Sequence, residues 1–465
     1  MIITDDQGPW AMPHLMPELH MPELDALRRD SIEFTRAYCP SPVCSPARAS
    51  MLTGRTPSAH GVHDWLVGTR HPDVYPDLYL AGQPTTPEVL ADAGYRCGLS
   101  GKWHVGDSRL PAPGFEYWYA HRYGGGPYHD APIWLDGREA TEPAYLSDAI
   151  TDHAVEFLSE PDPRPFWLSV NFTAPHTPWL DNHPADLLDL YTGCDFASVP
   201  RQPPHPWTAG RPEFRGAFAD PVPNLAGYCA ALSGVDRGLG RIRRTLDQHG
   251  LTDDTMIIFV SDNGFSCGHH GIWGKGNGTS PLNFFDNSVR VPLVVHLPGG
   301  PVGVRDAPVS TRWVHRSVCQ LTGVEPPTDQ WGDSGSFVSA LTTSTPPVGS
   351  SAVGSPDELV VVTAEYGQGR MITDGRYVYV HRSNGPDELY DHDRDPTEET
   401  NFVADPALAT TGAELRIALL DWFNRHERAG QSAFEQPVSG FGQLQPTARG
   451  LGPAASYLPL TPVDD

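Results

Sequence analysis

The chain has 465 residues, 39% of them hydrophobic, and carries a formal net charge of −25. That length suits one large domain and a smaller one, while the acidity argues against nucleic acid, whose phosphates reward basic surfaces. No apolar stretch approaches the ~20 residues that cross a bilayer, which argues against a membrane partner.

In chain order, "MIIT" (1–4) is a short apolar run that ends in Asp5-Asp6. No signal peptide is recognisable ahead of it, so the sequence as written predicts a cytoplasmic protein, or a periplasmic or secreted one if the N-terminus is truncated. In "VCSPARASMLTGR" (43–55), Ser45 is the expected helix cap, Pro46 the first helical residue and Gly54 the stop. Cys44 then lies beside a helix N-terminus, where free N–H groups favour an anion, with Arg48 about one turn along. Residues 86–94 predict a helix capped by Thr86 and ended by Gly94, and "YRCGLS" (95–100) predicts a strand that runs into "GKWHVG". A helix over 145–158 precedes the strand "PFWLSVNF" (165–172), which runs into "TAPHTPW". A longer helix over 225–249 precedes "TMIIFVS" (255–261), which ends in Asp262-Asn263-Gly264.

Strands that alternate with helices predict an α/β fold: a large, mixed, mostly parallel sheet flanked by helices. Ligands of such sheets gather beyond the carboxyl ends of the strands, so the four polar clusters are expected on one edge. The run 342–358 is rich in Ser, Thr, Pro and Gly and reads as a linker or long loop. Beyond it, 359–366, 369–375 and 376–382 predict a small antiparallel sheet, followed by a closing helix and a Pro/Gly-rich tail. The expected division is therefore a catalytic domain over 1–345 and a smaller α+β subdomain over 346–465.

Seven cysteines (Cys39, Cys44, Cys97, Cys194, Cys229, Cys267 and Cys319) are odd in number and widely spaced, without disulfide or zinc-site spacing. Of the 32 basic residues only Lys102 and Lys275 are lysine, which marks positions where a compact ammonium is needed rather than a broad guanidinium. The acids Asp5, Asp6 and Asp262, with the amide of Asn263, are hard ligands suited to Ca²⁺ or Mg²⁺.

Cys44-Ser45-Pro46-Ala47-Arg48 followed by Leu52-Thr53-Gly54-Arg55 resembles the maturation motif of the type I sulfatases, within the alkaline-phosphatase-like superfamily. "DDQG", "PEVLADAGYRCGLSGKWHVG", "APHTPW", "SDNG", "HGIWGKGN", "SVRVPLVV" and "ELYDHDRDPTEETN" extend the resemblance over nearly the whole chain. It implies that a maturation enzyme converts Cys44 to Cα-formylglycine, whose hydrate attacks the sulfur of a small-molecule or saccharide sulfate ester. It further implies Asp5, Asp6, Cys44, Asp262 and Asn263 around a metal, Ca²⁺ or alternatively Mg²⁺. Arg48, Lys102 and Lys275 are implied as charge-offsetting groups, His104 as the base, and His176 as the residue near the leaving oxygen. His60, His63, His269 and His270 are further candidates for substrate contact. The family's first strand is usually longer than the three residues present here, which places half of the metal site in question. Hydrolysis of phosphonate monoesters or phosphodiesters, and simple binding of a sulfated ligand by an unmodified Cys44, are the alternative readings.

Overall fold

The computed structural model describes all residues except 67–77, 136, 209–213, 326–334, 343–358, 365–367, 435–441 and 445–465. Nearly all of the expected linker, and most of the tail, lie outside the described residues. From edge to edge, a ten-stranded sheet runs Gly303–Arg305, Ile32–Phe34, Leu293–His296, Ile257–Ser261, Ile2–Thr4, Phe166–Asn171, Arg96–Lys102, Tyr117–His121, Ala131–Leu135 and Arg138–Glu142. The four strands legible in the sequence are its adjacent, mutually parallel centre. Antiparallel pairs lie outside this centre on both sides.

Alternation along each strand feeds two cores. Ile3, Ile258 and Val260 join one apolar cluster, whereas Ile2, Ile257 and Phe259 join the other, because successive side chains point to opposite faces. The first face is covered by helices Cys44–Thr53, Thr86–Asp92 and Val314–Thr322, through Met51, Leu90 and Val318. The second is covered by helices Leu146–Ser159 and Val222–Gln248, through Ile150, Phe157, Leu232 and Leu239. The short Ile2–Thr4 strand is paired on both sides, with Thr4 opposite Ser261 and Ile3 opposite Asn171. Its length therefore does not leave it frayed, since both neighbours supply ladder bonds that a three-residue edge strand would lack.

Two helix starts differ from expectation. Thr85, not Thr86, caps the 86–92 helix, because its N and Oγ1 both donate to Glu88 Oε2 at 3.0 and 2.7 Å. The other helix begins at Cys44 itself, with Val43 in extended geometry before it and Gly54 in left-handed geometry after it. Ser45 is not the cap: its Oγ accepts from Leu66 N at 3.0 Å, since all ten residues of this helix are buried and neighbouring loops compete for their polar groups.

Near the C-terminal end, strands Val360–Ala364, Gly369–Thr373, Tyr377–Arg382 and Glu388–Asp391 form a separate antiparallel sheet in chain order. The fourth strand adds to the three expected ones. One face, with Val360, Val362 and Met371, packs into the first core. The other face, with Val361, Ile372 and Leu389, is closed by Leu415, Leu419 and Phe423 of the Ala409–His426 helix. Of the tail, Gln443 returns to the main body, its N donating to Trp65 O at 2.8 Å and its Nε2 to Gly61 O at 2.7 Å.

Candidate active site

The parallel centre delivers its strand ends side by side. Asp5 follows Thr4, Asp262 follows Ser261, and Lys102 closes the strand that pairs with Phe166–Asn171. All three are fully buried. Asp6 follows in left-handed geometry (φ 70°), which costs a non-glycine residue roughly 1–2 kcal/mol. The turn is pinned by Tyr228, whose hydroxyl donates to Asp6 O and accepts from Gly8 N, both at 3.0 Å. Two such bonds, about 1 kcal/mol each, offset the strain.

Cys44 sits among these acids. Its Sγ lies 3.2 Å from Asp5 Oδ1, and Lys275 Nζ donates to it at 2.7 Å. The same ammonium reaches Asp6 Oδ1 at 2.5 Å, and Lys102 Nζ reaches Asp5 Oδ2 at 2.5 Å. Arg48 Nε donates to Asp262 Oδ2 at 2.8 Å, while its Nη1 holds Lys102 O at 3.1 Å. Asn263 Nδ2 donates to Asp6 Oδ1 and Gly264 O at 2.7 and 2.9 Å, which orients the amide and leaves its buried Oδ1 without a hydrogen-bond partner. Ligand atoms of Asp5, Asp6, Cys44 and Asp262 all lie within 4.8 Å of one another. Three carboxylates and an orphaned amide oxygen are a donor set for a hard cation, so the residues fit Ca²⁺ or Mg²⁺ chemically.

The charges are unevenly settled. Burial pushes Asp5 up, but Lys102, His176, Lys275 and Arg48 more than reverse this and hold it below the usual carboxylate range. Asp262 is raised to about 6, by burial and then by Asp5, despite Arg48. Burial, followed by Asp5, pushes the Cys44 thiol above its ordinary value. Lys275 is raised in spite of burial, because Asp6, Cys44, Asp5 and Asp262 surround it.

Two imidazoles border the cluster with opposite tautomers. His104 Nε2 donates to Leu66 O at 3.0 Å, which leaves a buried, unpartnered Nδ1 as acceptor. Burial and then Lys102 hold its pKa well below the ordinary histidine value. His176 Nδ1 donates to Thr177 O at 2.6 Å, and its Nε2 lies 3.9 Å from Asp6 Oδ2. Burial lowers this ring as well, against the pull of Asp5 and Asp6. The structure thus brings together Asp5, Asp6, Cys44, Arg48, Lys102, His104, His176, Asp262, Asn263 and Lys275.

The other histidines separate. His60 is buried away with Ser50 Oγ at 2.9 Å and Val62 N at 3.1 Å, and His63 faces Gln431 O at 2.5 Å. Both rings are buried. His270 stacks on Phe285 with ring centroids 3.9 Å apart, and His269 lies 4.7 Å from Trp10. The run Gly124-Gly125-Gly126 follows the Tyr117–His121 strand. Gly124 lies against the His104 ring and Gly125 against that of His176.

This architecture is an α/β fold, a mixed, mostly parallel sheet with a buried acid and ammonium cluster at the carboxyl edge of its central strands. A family model for sulfatases matches residues 1–324, and the chain belongs to the sulfatase family of sulfuric ester hydrolases. Choline-sulfatase of Rhizobium meliloti (strain 1021) is 28% identical over 427 residues, covering 83% of this chain and 78% of that protein. An ulvan-active sulfatase of Formosa agariphila is 28% identical over 430 residues, covering 87% and 76%. Among solved structures, a putative sulfatase from Bacteroides fragilis superposes with a TM-score of 0.77 at 22% identity, covering 94% of this chain and 97% of that one. No helix among the described residues is long and apolar enough to cross a membrane.

Proposed function

We propose that this sulfatase hydrolyses the sulfate ester of a small molecule or saccharide to alcohol and sulfate, at a Cα-formylglycine made from Cys44 by a maturation enzyme. The observation that carries the reading is the seat of Cys44 Sγ between Asp5 Oδ1 and Lys275 Nζ, in a cluster whose charge is too buried to be surface decoration. A thiol held protonated there is a poor nucleophile. The hydrated aldehyde supplies instead an oxygen nucleophile on the carbon that the cysteine side chain provides. Asp5, Asp6, Asp262 and Asn263 would hold Ca²⁺, or Mg²⁺, which polarises oxygen ligands at that point.

In this reading the chain's own cations, Arg48, Lys102 and Lys275, offset charge on the sulfate as the ester oxygen departs. His104 accepts a proton at its free Nδ1. His176 offers Nε2 on the leaving-alcohol side, with Lys275 as the proton donor. The relatives named for choline and ulvan substrates motivate a panel of a choline ester, sulfated saccharides and a chromogenic aryl sulfate.

The test joins that panel to mass spectrometry of the peptide that contains residue 44. An aldehyde at position 44 in active protein, with higher kcat/KM on sulfate than on matched phosphate or phosphonate esters, is the expected result. Active protein that carries only unmodified thiol would overturn the formylglycine reading, and a preference for the phosphorus esters would favour the phosphonate-hydrolase alternative.

A further inference from the structure

Gly124 and Gly125 belong to a loop anchored at both ends. His121 Nδ1 donates to Tyr123 O at 2.8 Å at one end. At the other, Tyr128 OH donates to His176 O at 2.7 Å, and Tyr128 O accepts from Leu146 N at 2.8 Å. Neither glycine has a positive φ, so the backbone path is one that any residue can adopt. What excludes a side chain is space. A Cβ built on Gly124 meets the His104 ring at Cε1, Nε2 and Nδ1, the last at 2.6 Å. One built on Gly125 meets His176 Cε1 at 2.6 Å and Nδ1 at 2.7 Å, whereas one on Gly126 stands 3.5 Å from His121 in ordinary contact. Neither site imidazole can step aside freely, because each is held from another direction, His104 by Leu66 O and His176 by Thr177 O.

We propose that Gly124 and Gly125 are positioning residues: the bare backbone is a flat wall that fixes the planes of the His104 and His176 rings, one glycine to each ring. Each ring is then held between one carbonyl and one glycine, so its free nitrogen points in a single direction. The wall explains why glycines occupy a path that does not require their backbone freedom. The catalytic consequence rests on the roles proposed above for the two histidines, whereas the geometric claim does not. Misplacing a reacting group by about 1 Å costs on the order of 100-fold in rate.

The test uses Gly124→Ala, Gly125→Ala and, as control, Gly126→Ala. In protein labelled with ¹⁵N-histidine, Gly124→Ala is expected to shift the ring nitrogens of His104, Gly125→Ala those of His176, and Gly126→Ala neither. Each of the first two is expected to lower kcat about 100-fold with little change in KM. A second measurement covers a variant that folds poorly. Gly124→Ala should destabilise the wild-type protein but cost little in a His104→Ala background, where the ring that meets the methyl is gone. Unchanged ring signals and equal stability costs in both backgrounds would overturn the proposal. Shifted rings with undiminished kcat would keep the positioning claim and sink the roles given to the histidines.

Discussion

Two charged clusters among the described residues satisfy the same geometric description and differ in chemistry. One is the site around Cys44; the other joins Asp286 to His392 and Glu398 beside the C-terminal sheet, again with ligand atoms within 4.8 Å of one another. In the second cluster, His392 Nε2 bridges Glu398 Oε1 at 3.1 Å and Asp286 Oδ2 at 3.6 Å, and Arg290 holds Asp286 at 2.6 Å. His392 is raised to about 9: burial opposes the shift, but the Glu398 hydrogen bond and the Asp286 charge outweigh it. Glu398 is also raised, to about 7, by burial and Asp286, yet a proton is at hand on the neighbouring imidazole. Around Cys44 the group raised by burial and a neighbouring carboxylate is Asp262, and an amide oxygen stays orphaned beside it. Proximity of ligands and an orphaned acceptor, Asn263 Oδ1 in the first and Asp286 Oδ1 in the second, are common to both; they differ in donor set, three carboxylates and an amide oxygen against two carboxylates bridged by an imidazole.

Breaking the first cluster should have the largest effect. Cys44→Ala is expected to reduce turnover of a chromogenic sulfate by at least about 1,000-fold, since it removes the group on which covalent catalysis depends. Circular dichroism and thermal melting should show the fold retained. Undiminished activity would end the assignment of residue 44.

Chelation separates the clusters next. Dialysis against EDTA should cut activity by about 100-fold or more, with recovery on adding Ca²⁺ or Mg²⁺. Asp262 must lose its proton to bind the ion, and burial and Asp5 raise it from the ordinary 3.8 to about 6. Metal affinity should therefore weaken as pH falls through about 6, which calorimetry can follow through proton release on binding. A flat affinity between pH 5 and pH 7 would contradict a raised Asp262 carboxyl.

The smallest effect belongs to the second cluster, and it concerns stability. His392 is raised from 6.5 to about 9, so its contribution is fully present below pH 6.5 and is lost as pH rises towards 9. His392→Gln should leave kcat/KM unchanged, lower Tm by a few degrees near pH 6.5, and flatten the fall in Tm between pH 6.5 and 9. Loss of Ca²⁺ dependence in this variant would place the metal at the wrong cluster.

The fold was legible wherever the pattern was local. The four central strands are continuous apolar runs, and strands buried on both faces need no other signal. The flanking pairs were harder to read, because Ile32–Phe34 and Gly303–Arg305 are three residues each and their apolar content is too short to set a period. Within the site, the acids and both lysines stood out by residue type and by where their strands end. Gly124 and Gly125 did not, since nothing in a glycine run says which ring will lie against it. His60 and His63 are buried with Ser50 and Gln431 as partners, and the second of these contacts joins residues far apart in the chain.

Sequence by itself determined which side chains could do chemistry and that four buried strands would end in them, because hydrophobic period and residue type are properties of a short stretch of chain. Tertiary structure alone decided that Asp5 and Asp262, 257 residues apart, meet in one cluster with Cys44, Arg48, Lys102 and Lys275. It also decided which nitrogen of each site histidine stays free and which carboxyl is raised despite its arginine partner. Proton affinity is set by burial and by the charges a few ångströms away, and those neighbours exist only once the sheet has ordered its strands.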